Sequence, residues 1–310
     1  MSDVKVLLKR CPNVIFLFAG LVVLFAVICP PFLSLGNLAN LILQGSVLLI
    51  VSLGMTLIML GNMIDLSVGC LMSLSGMVAA MILAKGGGTF SAILFGILIG
   101  LASGLFVGLL VAKLHFPSFI ATFGMMGIFE GISLFSNEGS SVYWPKSAFN
   151  FVGSGMLFQV PFPIWVAAAL FIVVYVLLYR TPFGANTYAL GGHEEGLRLA
   201  GVNVRRQKVL IFMTSGMLAS MAGLVLASRI ASGHPTVGIG YEFEAIASCV
   251  IGGTTFFGGR GGIMGTLFGV LIITLLRNGL NLMGYSTPYQ YCAIGIILVV
   301  GITLNSIYQR

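Results

Sequence analysis

Apolar residues occupy this chain in long blocks separated by short polar stretches. A helix that crosses a bilayer needs about 20 mostly apolar residues, and blocks of that order recur from Val14 almost to the C-terminus. They run from Val14 to Cys29, Leu38 to Leu60, Val68 to Ala84, Ala92 to Leu114, Phe119 to Phe135 and Ile164 to Tyr179. Further on they run from Val209 to Ala227, Phe243 to Ile251, Ile263 to Met283 and Tyr291 to Ile307. The block from Phe243 to Ile251 is too short to cross alone at about 1.5 Å per residue. It predicts a half-buried or re-entrant segment, tolerated only where protein or a water-filled cavity surrounds it. The pattern predicts an all-α integral membrane protein of about ten transmembrane helices, short or re-entrant segments included, forming one domain over residues 1–310.

Composition narrows the picture in the same direction. The chain is 58% hydrophobic and 7% charged, against roughly 25% charged in an average soluble domain, so soluble appendages are small. Its 42 glycines and 15 methionines suit closely packed membrane helices, where small residues let backbones approach. The net charge of +7 comes from Lys and Arg scattered between apolar blocks. That distribution reads as topology rather than as a nucleic-acid partner. Cys11, Cys29, Cys70, Cys249 and Cys292 contain no CxxC pair and read as small apolar filler, not as a disulfide framework or metal cluster.

Lys and Arg in short loops resist translocation and so set orientation. Lys5, Lys9 and Arg10, the Lys113 turn, the loop holding Arg180, Arg198, Arg205, Arg206 and Lys208, and Arg310 fall on one side when ten crossings are counted. Both termini are then expected in the cytoplasm. The apolar run after Arg10 lacks a small-residue cleavage site and is followed by Pro30-Pro31, so it reads as an uncleaved first span. The opposite side receives the loops from Asn137 to Pro163, with Tyr143 and Trp144 as interfacial anchors, and from Arg229 to Glu242. The stretches Gly54 to Gly76 and Ala247 to Gly269 each run a helix into a glycine-marked corner and out into another helix. An internal repeat is one reading; chance matches in a Gly-rich chain are the other.

Few polar residues interrupt the spans. In the corner Gly61-Asn62-Met63-Ile64-Asp65-Leu66-Ser67-Val68-Gly69, Asp65 reads as a cap on the free N–H groups of the next helix. It also reads as a carboxylate on a translocation path. Glu130 and Arg277 each lie inside an apolar block, where an unpaired charge is costly; they face a cavity, a partner or the interface, or pair with each other. Gln44, Thr122, Asn278 and Asn281 are candidates to line a path for a hydroxylated solute, or to serve as hydrogen-bonded glue between helices.

The basic loop over residues 180–208 carries Gly192-His193-Glu194-Glu195-Gly196-Leu197-Arg198-Leu199-Ala200-Gly201. This predicts a short exposed helix with Glu194 and Arg198 paired at i,i+4 and Gly201 closing its C-terminus. In a chain with so little soluble mass, such a helix reads as a docking element.

At this point the chain resembles a permease subunit of a bacterial ABC importer, of the ribose-type branch that serves monosaccharides and related polyols. The resemblance rests on Leu53-Gly54-Met55-Thr56 with Ile64-Asp65-Leu66-Ser67-Val68-Gly69, Pro117-Ser118-Phe119-Ile120-Ala121-Thr122, Thr181-Pro182-Phe183-Gly184, the Gly191 to Asn203 loop, and Gly252-Gly253-Thr254 through Gly258-Gly259-Arg260-Gly261-Gly262. It departs from the family at Asn62, where a second glycine is usual, and at the bulky Phe256-Phe257 pair. The resemblance implies a second permease copy, as a homodimer or as a pairing with a sister permease, two cytoplasmic ATPase domains that bind ATP and Mg, and a periplasmic or lipoprotein sugar-binding protein. It places the protein in the bacterial inner membrane and maps a coupling helix onto His193, Glu194, Glu195, Arg198 and Gly201. The chain has no GxxxxGK[ST] loop, so it carries no ATPase site of its own; the resemblance leaves it no cofactor. Two rivals are an ion-coupled secondary transporter and a membrane enzyme. Scarce intramembrane carboxylates disfavour the first. The lack of a paired aspartate, or of a histidine beside a buried serine, disfavours the second.

Overall fold

The computed structural model describes residues 12–308. It is built from helices, which satisfy every backbone polar group within one segment and so suit a bilayer interior. We number them α1 (Pro12–Ile28), α2 (Leu35–Leu60), α3 (Val68–Ala84), α4 (Thr89–Ala112), α5 (Ser118–Phe135), α6 (Asn150–Ser154) and α7 (Phe162–Arg180). They continue as α8 (Pro182–Gly192), α9 (Glu194–Leu199), α10 (Val204–Ile230), α11 (Tyr241–Ile251), α12 (Ile263–Leu282) and α13 (Thr287–Tyr308). Each predicted span has its helix, with ends shifted by a few residues. Among the described residues six helices are long and apolar enough to cross a membrane, and Val14–Ile28 and Val68–Ala84 are shorter apolar helices. Helix α11 has 11 residues, which is the half-length segment the sequence predicts.

Helix α10 is the central post, packed against α4, α3 and α2. Its tight neighbour is α4, whose Gly96, Gly100, Gly104 and Gly108 recur every fourth residue and so form one stripe. Side chains there would strike Leu224, the Gly216 carbonyl, the Phe212 carbonyl and Val209 of the antiparallel α10. Bare backbone along α4 lets α10 approach it along its length. The C-terminal half of α2 is buried on every face from Val47 to Leu60, as expected of a helix that is apolar all round.

The two ends of the bundle differ. At one end a two-residue ladder pairs Val142 with Gly233 and Tyr143 with Ser232, tying together the two loops that the charge pattern assigns to one side. There Tyr143 is exposed, while Trp144 turns inward against Phe149 and donates its indole N–H to Asn150. At the other end, Gly108 near the close of α4 meets Val209 near the start of α10; this basic end also holds Lys113 and the 180–208 loop. Lys5, Lys9, Arg10, Cys11 and Arg310 lie outside the described residues. Cys29, Cys70 and Cys249 are buried free thiols, and Cys292 is exposed.

Candidate functional site

The basic loop is not one short helix but two. Thr181 bonds its hydroxyl to the Leu177 carbonyl at 2.6 Å to close α7, and Pro182 opens α8, where its missing N–H costs nothing. His193 interrupts the chain and α9 follows, with Glu194 and Glu195 in its first turn and Arg198 in its last, the arrangement that suits the helix dipole. Gly201, at φ +82°, ends α9 as expected. Val202 N–H reaches the Leu197 carbonyl at 3.3 Å and Gly201 N–H the Arg198 carbonyl at 3.0 Å, a double closure that needs a left-handed residue. The predicted Glu194–Arg198 pair does not form. Arg198 pairs with Glu195 one residue nearer, because Glu194 is drawn 2.7 Å from Lys208 on α10. Asn203 caps α10 by accepting the Arg206 N–H at 3.0 Å. Leu197 is buried, whereas Leu199 is 80% exposed, so α9 is anchored on one side and presents an apolar residue on the other.

Helix α8 lies against both glycine corners of the bundle. A side chain at Gly191 would overlap the Leu60 carbonyl and come within 2.6 Å of the Gly259 nitrogen. Gly259 N–H itself donates to the Leu60 carbonyl at 2.9 Å. Gly258, at φ +76°, sits over Asn62, and Tyr188 donates its hydroxyl to the Gly261 carbonyl at 2.9 Å. Burial, and then neighbouring Tyr179, push the Tyr188 phenol up, so it remains a donor across the physiological range. Asn62 adopts φ 57°, a left-handed conformation that asparagine supports; its departure from glycine leaves the corner intact.

Asp65 is 3% exposed, but it does not cap the free N–H groups within α3. Its Oδ1 accepts the Ser67 N–H at 2.9 Å and the Ser67 hydroxyl at 2.6 Å, closing the corner two residues on rather than the helix. Thr122 on α5 joins the same corner, since its hydroxyl lies 2.9 Å from the Ser118 carbonyl and 3.3 Å from the Ile64 carbonyl.

A second polar group gathers where α11 begins. Arg277 does not pair with Glu130. Its Nη1 donates to both carboxylate oxygens of Glu244, at 2.7 and 2.9 Å, because the half-helix α11 packs directly on α12. Arg277 Nε reaches Gln290 Oε1 at 3.3 Å. Glu242, which the hydropathy pattern leaves at the end of a loop, is fully buried; it accepts the Gly240 N–H and lies where a side chain at Gly69 would stand. Gln44 lines a small pocket with Tyr241, Glu244, Thr274 and Arg277. Asn278 exchanges two hydrogen bonds with Asn37, at 2.8 and 2.9 Å, which is the glue reading for that residue. Asn281 is exposed at the close of α12. Glu244 and Gln290 escaped sequence reasoning. The available signal was Arg277 itself, since a guanidinium inside an apolar helix calls for a carboxylate at membrane depth, and the short segment held one.

Comparison with known proteins accords with this architecture. The profile of the family described as branched-chain amino acid transport system / permease component matches residues 37–302. The ribose import permease protein RbsC of Bacillus subtilis (strain 168) is 40% identical over 287 residues, covering 92% of this chain and 89% of that protein. The L-arabinose transport system permease protein AraH of Escherichia coli (strain K12) is 35% identical over 96% of this chain and 91% of its own. The D-allose transport system permease protein AlsC of the same strain is 34% identical over 95% and 91%. No solved structure matches the chain. The chain belongs to the family of branched-chain amino acid transport system / permease components.

Proposed function

We propose that this chain is the membrane-spanning permease subunit of a bacterial ABC importer that carries a monosaccharide across the cytoplasmic membrane by alternating access. Relatives named for ribose, L-arabinose and D-allose support the substrate class. In this reading two copies, or this chain and a sister permease, frame the path, and both termini face the cytoplasm. Two cytoplasmic ATPase domains bind ATP and Mg, and an extracytoplasmic binding protein delivers the sugar. The chain performs no chemistry of its own.

The observation that carries the reading is the seating of α8 and α9. Helix α9 offers Leu199, Glu194 and Glu195 outward, a surface fit to dock an ATPase. Helix α8, joined to it through His193, touches both corners at Leu60 and Gly259. A push on α9 is therefore delivered at once to the ends of α2 and α11 and the starts of α3 and α12. Gln44, Asp65, Thr122 and Asn281 stay as path candidates beside these elements, and Asn278 acts through Asn37.

The test is uptake into proteoliposomes that hold this chain with its ATPase and binding protein. Changing Glu194 and Glu195 together to Ala is expected to lower ATP-driven sugar uptake by weakening assembly or coupling. Uptake that persists without the ATPase would move the case to an ion-coupled secondary carrier.

A further inference from the structure

The Glu244–Arg277 pair leaves part of its surroundings unsatisfied. Arg277 commits Nη1 to Glu244 and Nε to Gln290. Thr274, on the same face of α12 at i−3, is 3% exposed, and its hydroxyl has no hydrogen-bond partner. Thr274, Gln44, Tyr241, Glu244 and Arg277 line one pocket of about 10 Å³, room for a single oxygen atom. Buried hydroxyls without partners are rare, because the lost hydration goes uncompensated. Ser52, Ser133, Ser215 and Thr254 share that condition; at Thr274 a pocket and an ion pair stand beside the unpartnered hydroxyl, and a polar group fits there.

Two observations favour an occupant that arrives from a path over one that is sealed in. The Arg277 side chain is 30% exposed and Gln44 is half-buried, so the pocket has an open side. A guanidinium on a membrane-spanning helix does not turn an open side to lipid; it faces a protein partner or water. The pocket also stands at the start of α11, whose 11 residues are too few to span, and broken helices mark solute sites in transporters.

We propose that this pocket is a hydroxyl-binding station for the transported sugar. One sugar hydroxyl enters it, accepts from Arg277 and bonds Thr274, while Gln44 and Glu244 offer further acceptors. The ion pair with Glu244 holds the guanidinium in place. The assignment rests on the reading of this chain as a sugar permease.

The assembled importer in proteoliposomes tests it, with Thr274→Val removing the hydroxyl at constant shape and Thr274→Ser restoring it. Uptake is measured for the parent sugar and for a panel of its monodeoxy analogues, alongside ATPase activity. The valine variant is expected to move about five-fold less parent sugar per ATP hydrolysed, the effect of one lost hydrogen bond. It should be indifferent for the one analogue that lacks the hydroxyl concerned. Should Thr274→Val fail to assemble, Gln44→Met is read by the same ratio. Equal loss for the parent and every analogue, or no loss, overturns the station and leaves a structural water. A wild-type importer without ATP-driven sugar uptake overturns the underlying permease reading, and the station with it.

Discussion

Gly259 donates its backbone N–H to the carbonyl of Leu60 at 2.9 Å, so the two glycine corners, far apart in sequence, are bonded backbone to backbone. Gly191 of α8 rests on that junction. Three segments meet where no side chain fits, and the junction can be tested by adding one methyl group.

Gly191→Ala places a Cβ into the Leu60 carbonyl. Backbone cannot yield as a flexible side chain does, so α8 must lift from the corners. The expected outcome is an importer whose ATPase still turns over while sugar uptake falls by about an order of magnitude, comparable to overpacking costs of roughly 1–3 kcal/mol. Parallel ATPase and uptake assays check it.

Arg277→Ala leaves Glu244 as a buried carboxylate without its cation. Breaking one side of a buried pair costs roughly 3–5 kcal/mol, so a marked drop in the thermal unfolding midpoint in detergent is expected. Glu244→Gln combined with Arg277→Gln should recover much of that loss, because neither buried charge remains. A double variant no better than Arg277→Ala would rule out the pair as the source.

Gly201→Ala keeps the composition of the docking helix but forces alanine to φ +82°, at a cost of roughly 1–2 kcal/mol. Amide exchange across Glu194 to Val202 should quicken while the spans keep their protection, and coupling to the ATPase should weaken. Unchanged exchange in that segment would show that the double closure at Gly201 contributes little.

Topology is open to a chemical test. Glu138 lies at the end marked by the Val142–Gly233 ladder and Leu199 at the basic end, and both are exposed. With Cys11 and Cys292 first changed to Ser, Glu138→Cys should react with a membrane-impermeant maleimide in intact cells and Leu199→Cys only after permeabilisation. The reverse pattern would invert the orientation drawn from Lys and Arg.

Which parts of this protein the sequence determines follows from the range of the forces involved. The helices were legible because crossing a bilayer demands a long apolar run, and that demand is local; α3 begins and ends at the residues the hydropathy pattern names. The half-length of α11 and the closure at Gly201 were legible for the same reason, being matters of a few consecutive residues. Side-chain partnerships were not. Glu194 meets Lys208 across two helices, and Arg277 finds Glu244 and not Glu130. Asn278 meets Asn37 from the far end of the chain, and Asp65 closes a turn where a helix cap was expected. Each of these depends on which helices the packing of α10 and α11 brings together, and a charge or amide inside the membrane takes whichever partner that packing delivers.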